Sequence, residues 1–268
     1  MSNADKCILS SHCSQAGGPN CNNLCSSWIA VHGFNGAGGR IAAANVPKEY
    51  AGVTLQNSPA REDQAEAYKL IDAYVNTFKR QFSDAEERIK SLYLYSESPG
   101  TGKTTSASAV LHEYIVRHYI GSLQRDRQPL ERCAYFLDVN AWQTLFLGFN
   151  RSHVPAETAE AHAAEYYAME SRAKVTPLVV LDDIGVRTAT DAFRADLHGV
   201  VNYRVANGLP TVYTSNVAIG DLAQVFDARL ADRVRDMCVV IPFVGGSKRG
   251  IRRSAQKSRV NTSLKISE

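Results

Sequence analysis

No run of about 18 apolar residues, the length needed to cross a bilayer, occurs anywhere in the chain. Its first residues, MSNADKCILSSHC, also lack the basic-then-apolar order of a secretory signal. These absences point to a soluble, cytoplasmic protein with no membrane partner. The bias of a disordered chain is missing too, because 44% of the 268 residues are hydrophobic and 21% charged, enough for one substantial core and a small satellite. No internal repeat is found. Beyond residue 25 cysteine is scarce, with only Cys133 and Cys238. The net charge is a small +3, but residues 245–268 hold seven Lys/Arg against the single acid Glu268, so the tail is basic and the body slightly acidic.

What is present divides the chain into three regions. Residues 1–58 are rich in Cys, Gly, Asn and Ser and poor in periodic apolar positions, so a metal is expected to hold them together. The thiols Cys7-x5-Cys13-x7-Cys21-x3-Cys25 offer four ligands for one tetrahedral zinc, with His12 and His32 as possible substitutes; in a reducing compartment, clustered thiols are more often metal ligands than disulfides. Asn57-Ser58-Pro59 breaks the chain, and residues 59–250 then alternate short apolar runs with amphipathic segments. Strands are expected at Ser91–Ser96, Cys133–Asp138, Leu178–Asp182, Thr211–Ser215 and Val239–Pro242. Helices are expected from Ala67 to Phe78, over Lys103–Ile120, across 140–172 and over Ala192–Ala206, with a charged helical segment after Asp221. This alternation predicts an α/β fold, a parallel sheet with helices on both faces. Residues 251–268 read as a flexible basic tail.

The chemistry falls at the strand ends. After Leu92-Tyr93-Leu94-Tyr95 comes Glu97-Ser98-Pro99-Gly100-Thr101-Gly102-Lys103-Thr104-Thr105, a Walker A loop. Phosphates need inward backbone N–H groups, which glycines permit, a helix N-terminus behind them, a lysine for the β and γ oxygens and a hydroxyl for magnesium. Gly100, Gly102, Lys103 and Thr104 supply these, within a cofactor-binding stretch Pro99 to Thr105. Glu97 stands where the full pattern has glycine, so the start of the loop must accommodate a Cβ. The strand Leu178-Val179-Val180-Leu181 ends in Asp182-Asp183, a Walker B element: Asp182 would hold magnesium and Asp183 would polarise the attacking water. The next strand delivers Asn216, whose neutral amide suits the lytic water and the γ-phosphate.

Together Leu181-Asp182-Asp183-Ile184-Gly185, Asn202-Tyr203-Arg204, Leu209-Pro210-Thr211, Thr214-Ser215-Asn216 and Asp227-Ala228-Arg229-Leu230-Ala231-Asp232-Arg233-Val234-Arg235 resemble the replicative helicase loaders of the DnaC/DnaI family, over roughly residues 60–253. The resemblance implies an AAA+ ATPase that binds ATP and Mg2+, self-associates, grips the replicative helicase and helps place it on single-stranded DNA. By position it makes Asn216 the sensor 1 residue, Arg233 the arginine finger, with Arg229 and Arg235 as alternatives, and Arg249 sensor 2. A guanidinium from a neighbouring subunit can neutralise charge that develops on the γ-phosphate. The family's N-terminal domain, zinc-bearing in some members, grips the helicase, which implies a partner-docking role for residues 1–58. Its helical insertion before Walker B faces single-stranded DNA; here that region holds Trp142, Phe146, Phe149 and Arg151, suited to stacking and phosphate contact. Trp142, Leu145, Phe146 and Phe149 equally have the helical spacing of a core face. Two other functions share these motifs: a transposition helper ATPase acting on duplex DNA, and a nucleotide-gated adaptor with little or no turnover.

Overall fold

A computed structural model of the protein describes residues 2–83, 88–185 and 189–248. Five strands, β1 (Ser91–Tyr95), β2 (Ala134–Asp138), β3 (Leu178–Asp182), β4 (Thr211–Ser215) and β5 (Cys238–Pro242), pair in parallel in the order β2-β3-β4-β1-β5. Parallel neighbours need crossovers, and helices supply them. β1 runs into α4 (Lys103–Leu123); β2 into α5 (Val139–Asn150) and α6 (Ala156–Val175); β3 is followed by α7 (Asp191–Ala206); β4 is followed by α8 (Ala228–Met237). Ahead of β1 lie α1 (Ser26–His32), α2 (Gly39–Ala43) and α3 (Ala65–Val75).

Strand periodicity sorts the core into two layers. Leu178 and Val180 of β3 join the cluster under α3 and α4, while Val179 and Leu181 join the one under α5, α6, α7 and α8. Both faces are covered, which is why the strands read as continuous apolar runs. The single helical stretch expected across 140–172 is two helices, broken near His153 (φ 69°) and Pro155.

Residues 1–58 do not stand apart from this core. Ile8, Leu9, Val31, Ile41, Ala44 and Leu55 are buried in the same cluster as Ala107, Val110 and Leu111 of α4. β2 is an edge strand, and its Phe136 N–H donates to Ala44 O (2.8 Å) while Asn45 Nδ2 donates to Phe136 O (3.0 Å). Arg40 adds bonds to Leu130 O and Pro129 O, Arg132 Nε bonds Ala43 O, and His112 Nδ1 donates to Val53 O. A segment too poor in apolar residues for a core of its own thus borrows one, and in return satisfies the polar groups of a sheet edge.

Candidate nucleotide site

The strand register sets the carboxyl ends of β1, β4 and β3 side by side, with Tyr95 opposite Ser215 and Leu181 opposite Tyr213. Ligands of open α/β sheets bind at such an edge, where crossovers diverge. Gly100 (φ 72°) and Gly102 (φ 103°) hold the left-handed backbone that lets the loop after β1 turn into α4, and a Cβ on Gly102 would lie 2.6 Å from Ala60 Cβ. Lys103, almost enclosed at 8% exposure, directs Nζ to Asn216 Oδ1 (2.7 Å), Ser98 O (3.3 Å) and Ser96 O (3.4 Å). The lysine and the amide read as a phosphate pair therefore meet at one point. Glu97 adopts no left-handed backbone, so its Cβ is accommodated without strain, and its carboxylate accepts from Tyr95 Oη (3.3 Å).

Thr104 Oγ1 donates to Asp182 Oδ2 (3.2 Å), joining the two expected magnesium ligands. Burial pushes the Asp182 carboxyl up to about 6; hydrogen bonds from Thr214 and Thr104 oppose this, and the charges of Asp138 and Asp183 add to it. A buried carboxylate beside a hydroxyl and near other acids suits a divalent cation that takes its remaining ligands from phosphate and water, as magnesium does. Thr104 and Asp182 would hold Mg2+, which would neutralise charge on the β and γ oxygens.

Asp183 follows in a left-handed conformation (φ 58°), sparsely populated for a residue with a Cβ though less costly for Asp than for most. Two contacts fix it there: its N–H donates to Thr214 Oγ1 (2.8 Å), and its Oδ2 accepts from Asn140 Nδ2 (3.0 Å). The same Thr214 hydroxyl donates to Asp182 Oδ1 (2.7 Å), so one side chain orients both acids. Thr214 and Asn140 are functional candidates without an assigned role in the sequence reading. The position of Thr214 two residues before Asn216 on β4 was a usable signal. Asn140, 43 residues from Asp183 along the chain, gave none. Asp183→Asn keeps size and loses charge, so ATP binding should persist while turnover falls about a hundredfold or more; steady-state hydrolysis equal to the parent would move the base elsewhere.

Other expected sites are placed differently. Arg233 lies exposed on α8 and donates to Asn202 Oδ1 (2.9 Å), with Arg229 and Arg235 also exposed on that helix. Arg249 and the tail 251–268 lie outside the described residues. Burial raises the Cys7 thiol, a backbone hydrogen bond from Leu9 opposes this, and Cys21, Cys25 and Cys13 add to the rise. Even so, no group of three or more His, Cys, Asp or Glu able to hold a metal ion exists among the described residues. Structural zinc requires four protein ligands, so zinc at Cys7, Cys13, Cys21 and Cys25 is not supported by this geometry. His32 is engaged otherwise, accepting from Ile8 N–H (3.2 Å) and stacking on Trp28. Trp142 is core rather than a platform for bases: it is fully buried, stacks on Tyr166 (4.8 Å) and donates its indole N–H to Tyr166 O. Phe146 and Phe149 are half-buried against the same cluster.

The comparisons with known proteins add the fold. The crystal structure of DnaI superposes with TM-score 0.50 at 22% identity, covering 75% of this chain and 93% of that one. The crystal structure of the DnaC helicase loader gives TM-score 0.50 at 22% identity, covering 74% and 100%. The α/β fold is the one these two structures share. No family model matches the chain, and no curated protein matches it in sequence.

Proposed function

We propose that the protein is an ATP-dependent loader that binds the replicative DNA helicase and helps deliver it onto single-stranded DNA during replication initiation. One observation carries the reading: Lys103, Asn216, Thr104 and Asp182 converge at the carboxyl edge of a parallel sheet whose fold is shared with DnaI and the DnaC loader. In this reading Pro99 to Thr105 wrap the phosphates, Thr104 and Asp182 hold Mg2+, and Asp183 takes a proton from the attacking water. Asn216 and Lys103 orient the γ-phosphate between them. Lys248 N–H donates to Gly100 O (3.1 Å), and Lys248 Nζ pairs with Asp63 (3.3 Å), so Lys248 lies against the phosphate loop, which supports a sensor 2 role for the residue after it in sequence, Arg249.

Self-association completes the site. Arg233 projects from an amphipathic helix whose Leu230, Ala231 and Val234 are buried, leaving its guanidinium on the outer surface for a neighbouring subunit's γ-phosphate. Arg233→Ala should bind ATP like the parent yet lose activity in the assembled state, and mixing it with a Lys103 variant should restore part of that activity through hybrid interfaces. Full activity in Arg233→Ala alongside an inactive Arg229→Ala or Arg235→Ala would shift the finger along the helix.

Residues 1–58 would serve as the partner-docking module, rigid because they are packed on α4 and the edge of β2. Metal analysis of the purified chain reads directly whether their thiols close on zinc in solution. The whole reading is tested by pull-down of a replicative helicase with the full chain, with and without ATP, followed by steady-state ATPase in the presence of helicase and single-stranded DNA. Absence of helicase binding would discard the loader function, and helicase binding without turnover would make the protein a nucleotide-gated adaptor.

A further inference from the structure

A cavity of about 1000 Å³ lies in residues 1–58 and is remote in sequence from every phosphate-binding motif. Trp28 lines it, and although that residue is only 5% exposed its indole N–H has no hydrogen-bond partner. A buried donor without an acceptor is costly, and few native groups are left so. At the rim stand two large apolar side chains in water, Leu24 (76% exposed) and Phe34 (61% exposed). Side-chain amides complete the lining: Asn3 donates to Asn23 Oδ1 (2.7 Å), Asn22 accepts from Leu24 N–H (2.9 Å), and Asn35 accepts from Ala37 N–H (3.1 Å). These local bonds fix the turns that present Leu24 and Phe34, so the rim is built rather than incidental.

The lining also says what would fit. Among the described lining residues the charged side chains are Asp5 and Lys6, one of each sign. A phosphate or a nucleic acid strand would need a surplus of cations, and the described lining has none. Amides carry a donor and an acceptor together, the same pair a peptide backbone presents, and an enclosed indole N–H offers a donor to a backbone carbonyl. An aromatic floor with exposed Leu and Phe at the rim suits an apolar side chain beside that carbonyl.

We infer that this cavity is a docking pocket for an uncharged, apolar-centred peptide segment of a partner protein, gripped by Trp28, Leu24 and Phe34. The inference rests on the reading of residues 1–58 as the partner-docking module and names the chemistry of the contact. The test is selection of a displayed library of random short peptides on the immobilised full chain, followed by titration of the selected peptides against Phe34→Ser and Leu24→Ser. Both residues are exposed, so both variants should fold and bind ATP like the parent. Expected are peptides with apolar centres whose affinity falls about tenfold or more in each variant, the loss of an anchor at an interface. Failure to select any peptide, or equal affinity for parent and variants, would overturn the pocket. Competition with a replicative helicase then separates the two readings: displacement of the peptide places the helicase here, whereas a Phe34-dependent peptide that helicase leaves bound upholds the pocket and removes the helicase from it.

Discussion

Lys103→Ala should lose ATP affinity by roughly ten- to a hundredfold and turnover by about a thousandfold, the scale on which a charge-assisted contact to a developing anion counts. Its Nζ is the cation placed among Asn216 Oδ1, Ser98 O and Ser96 O, in a loop whose other contributions are backbone groups and hydroxyls. Asn216 Oδ1, Ser98 O and Ser96 O are neutral oxygens, so at these three contacts the loss of the ammonium leaves no charge behind, and circular dichroism should still report a folded protein. Isothermal titration with a slowly hydrolysed ATP analogue and Mg2+ reads the binding, and phosphate release reads the turnover. Parent-like hydrolysis in a folded Lys103→Ala protein would end the assignment of this loop to nucleotide.

The parts of this site that the sequence made legible are those carried by local pattern. Leu178–Asp182 is apolar throughout because both faces of β3 are covered, and its acids follow at the carboxyl end. Gly100 and Gly102 announce their turn because only glycine takes their backbone freely. Other parts depend on contacts between segments far apart in the chain. The Thr214 hydroxyl bridges Asp182 and Asp183, a contact at which its place two residues before Asn216 only hints, and Asn140 reaches Asp183 from the start of α5, which no spacing marks. The packing of residues 1–58 was hidden for a different reason. Its few apolar anchors have no regular spacing, and part of its attachment uses single backbone groups, such as Ala44 O and Val53 O, which every residue type carries and no pattern marks. Trp142 shows the converse. Its helical spacing with Phe146 and Phe149 fits an exposed stacking surface or a core face equally, and only Tyr166 and Phe193 packing over the ring decide for core.

Arg204→Met should destabilise the fold by about 3–5 kcal/mol, the cost of leaving several buried carbonyls without their donors. Arg204 is fully buried on α7, and its guanidinium spends all three nitrogens on neutral oxygens. Nε donates to Thr211 Oγ1 (2.8 Å); Nη1 donates to Ala173 O (2.8 Å), Thr176 O (2.8 Å) and Lys174 O (3.3 Å); Nη2 donates to Pro210 O (2.7 Å) and Pro177 O (3.3 Å). The carbonyls of Ala173 and Lys174 belong to the last turn of α6, which has no intrahelical partner for them, and a cation there also meets the negative end of the helix dipole. Pro177 and Pro210 lead directly into β3 and β4, the strands that deliver Asp182 and Asn216. One side chain thus holds the end of α6 and the starts of two site-bearing strands. Burial lowers the guanidinium to about 10, against which Tyr213 and Tyr114 act, so it keeps its charge at neutral pH. Methionine fills much of the volume but donates nothing, leaving a cluster of buried carbonyls unpaired. Arg204→Lys should fare little better, because one ammonium with three donors cannot reproduce the planar fork that reaches six acceptors. Denaturant unfolding monitored by circular dichroism gives the difference, and a thermal midpoint lowered by roughly 6–20 °C is the matching expectation for a chain of this size. A variant as stable as the parent would mean that the carbonyls find water or one another, and that the buried arginine contributes little to fixing the strand ends.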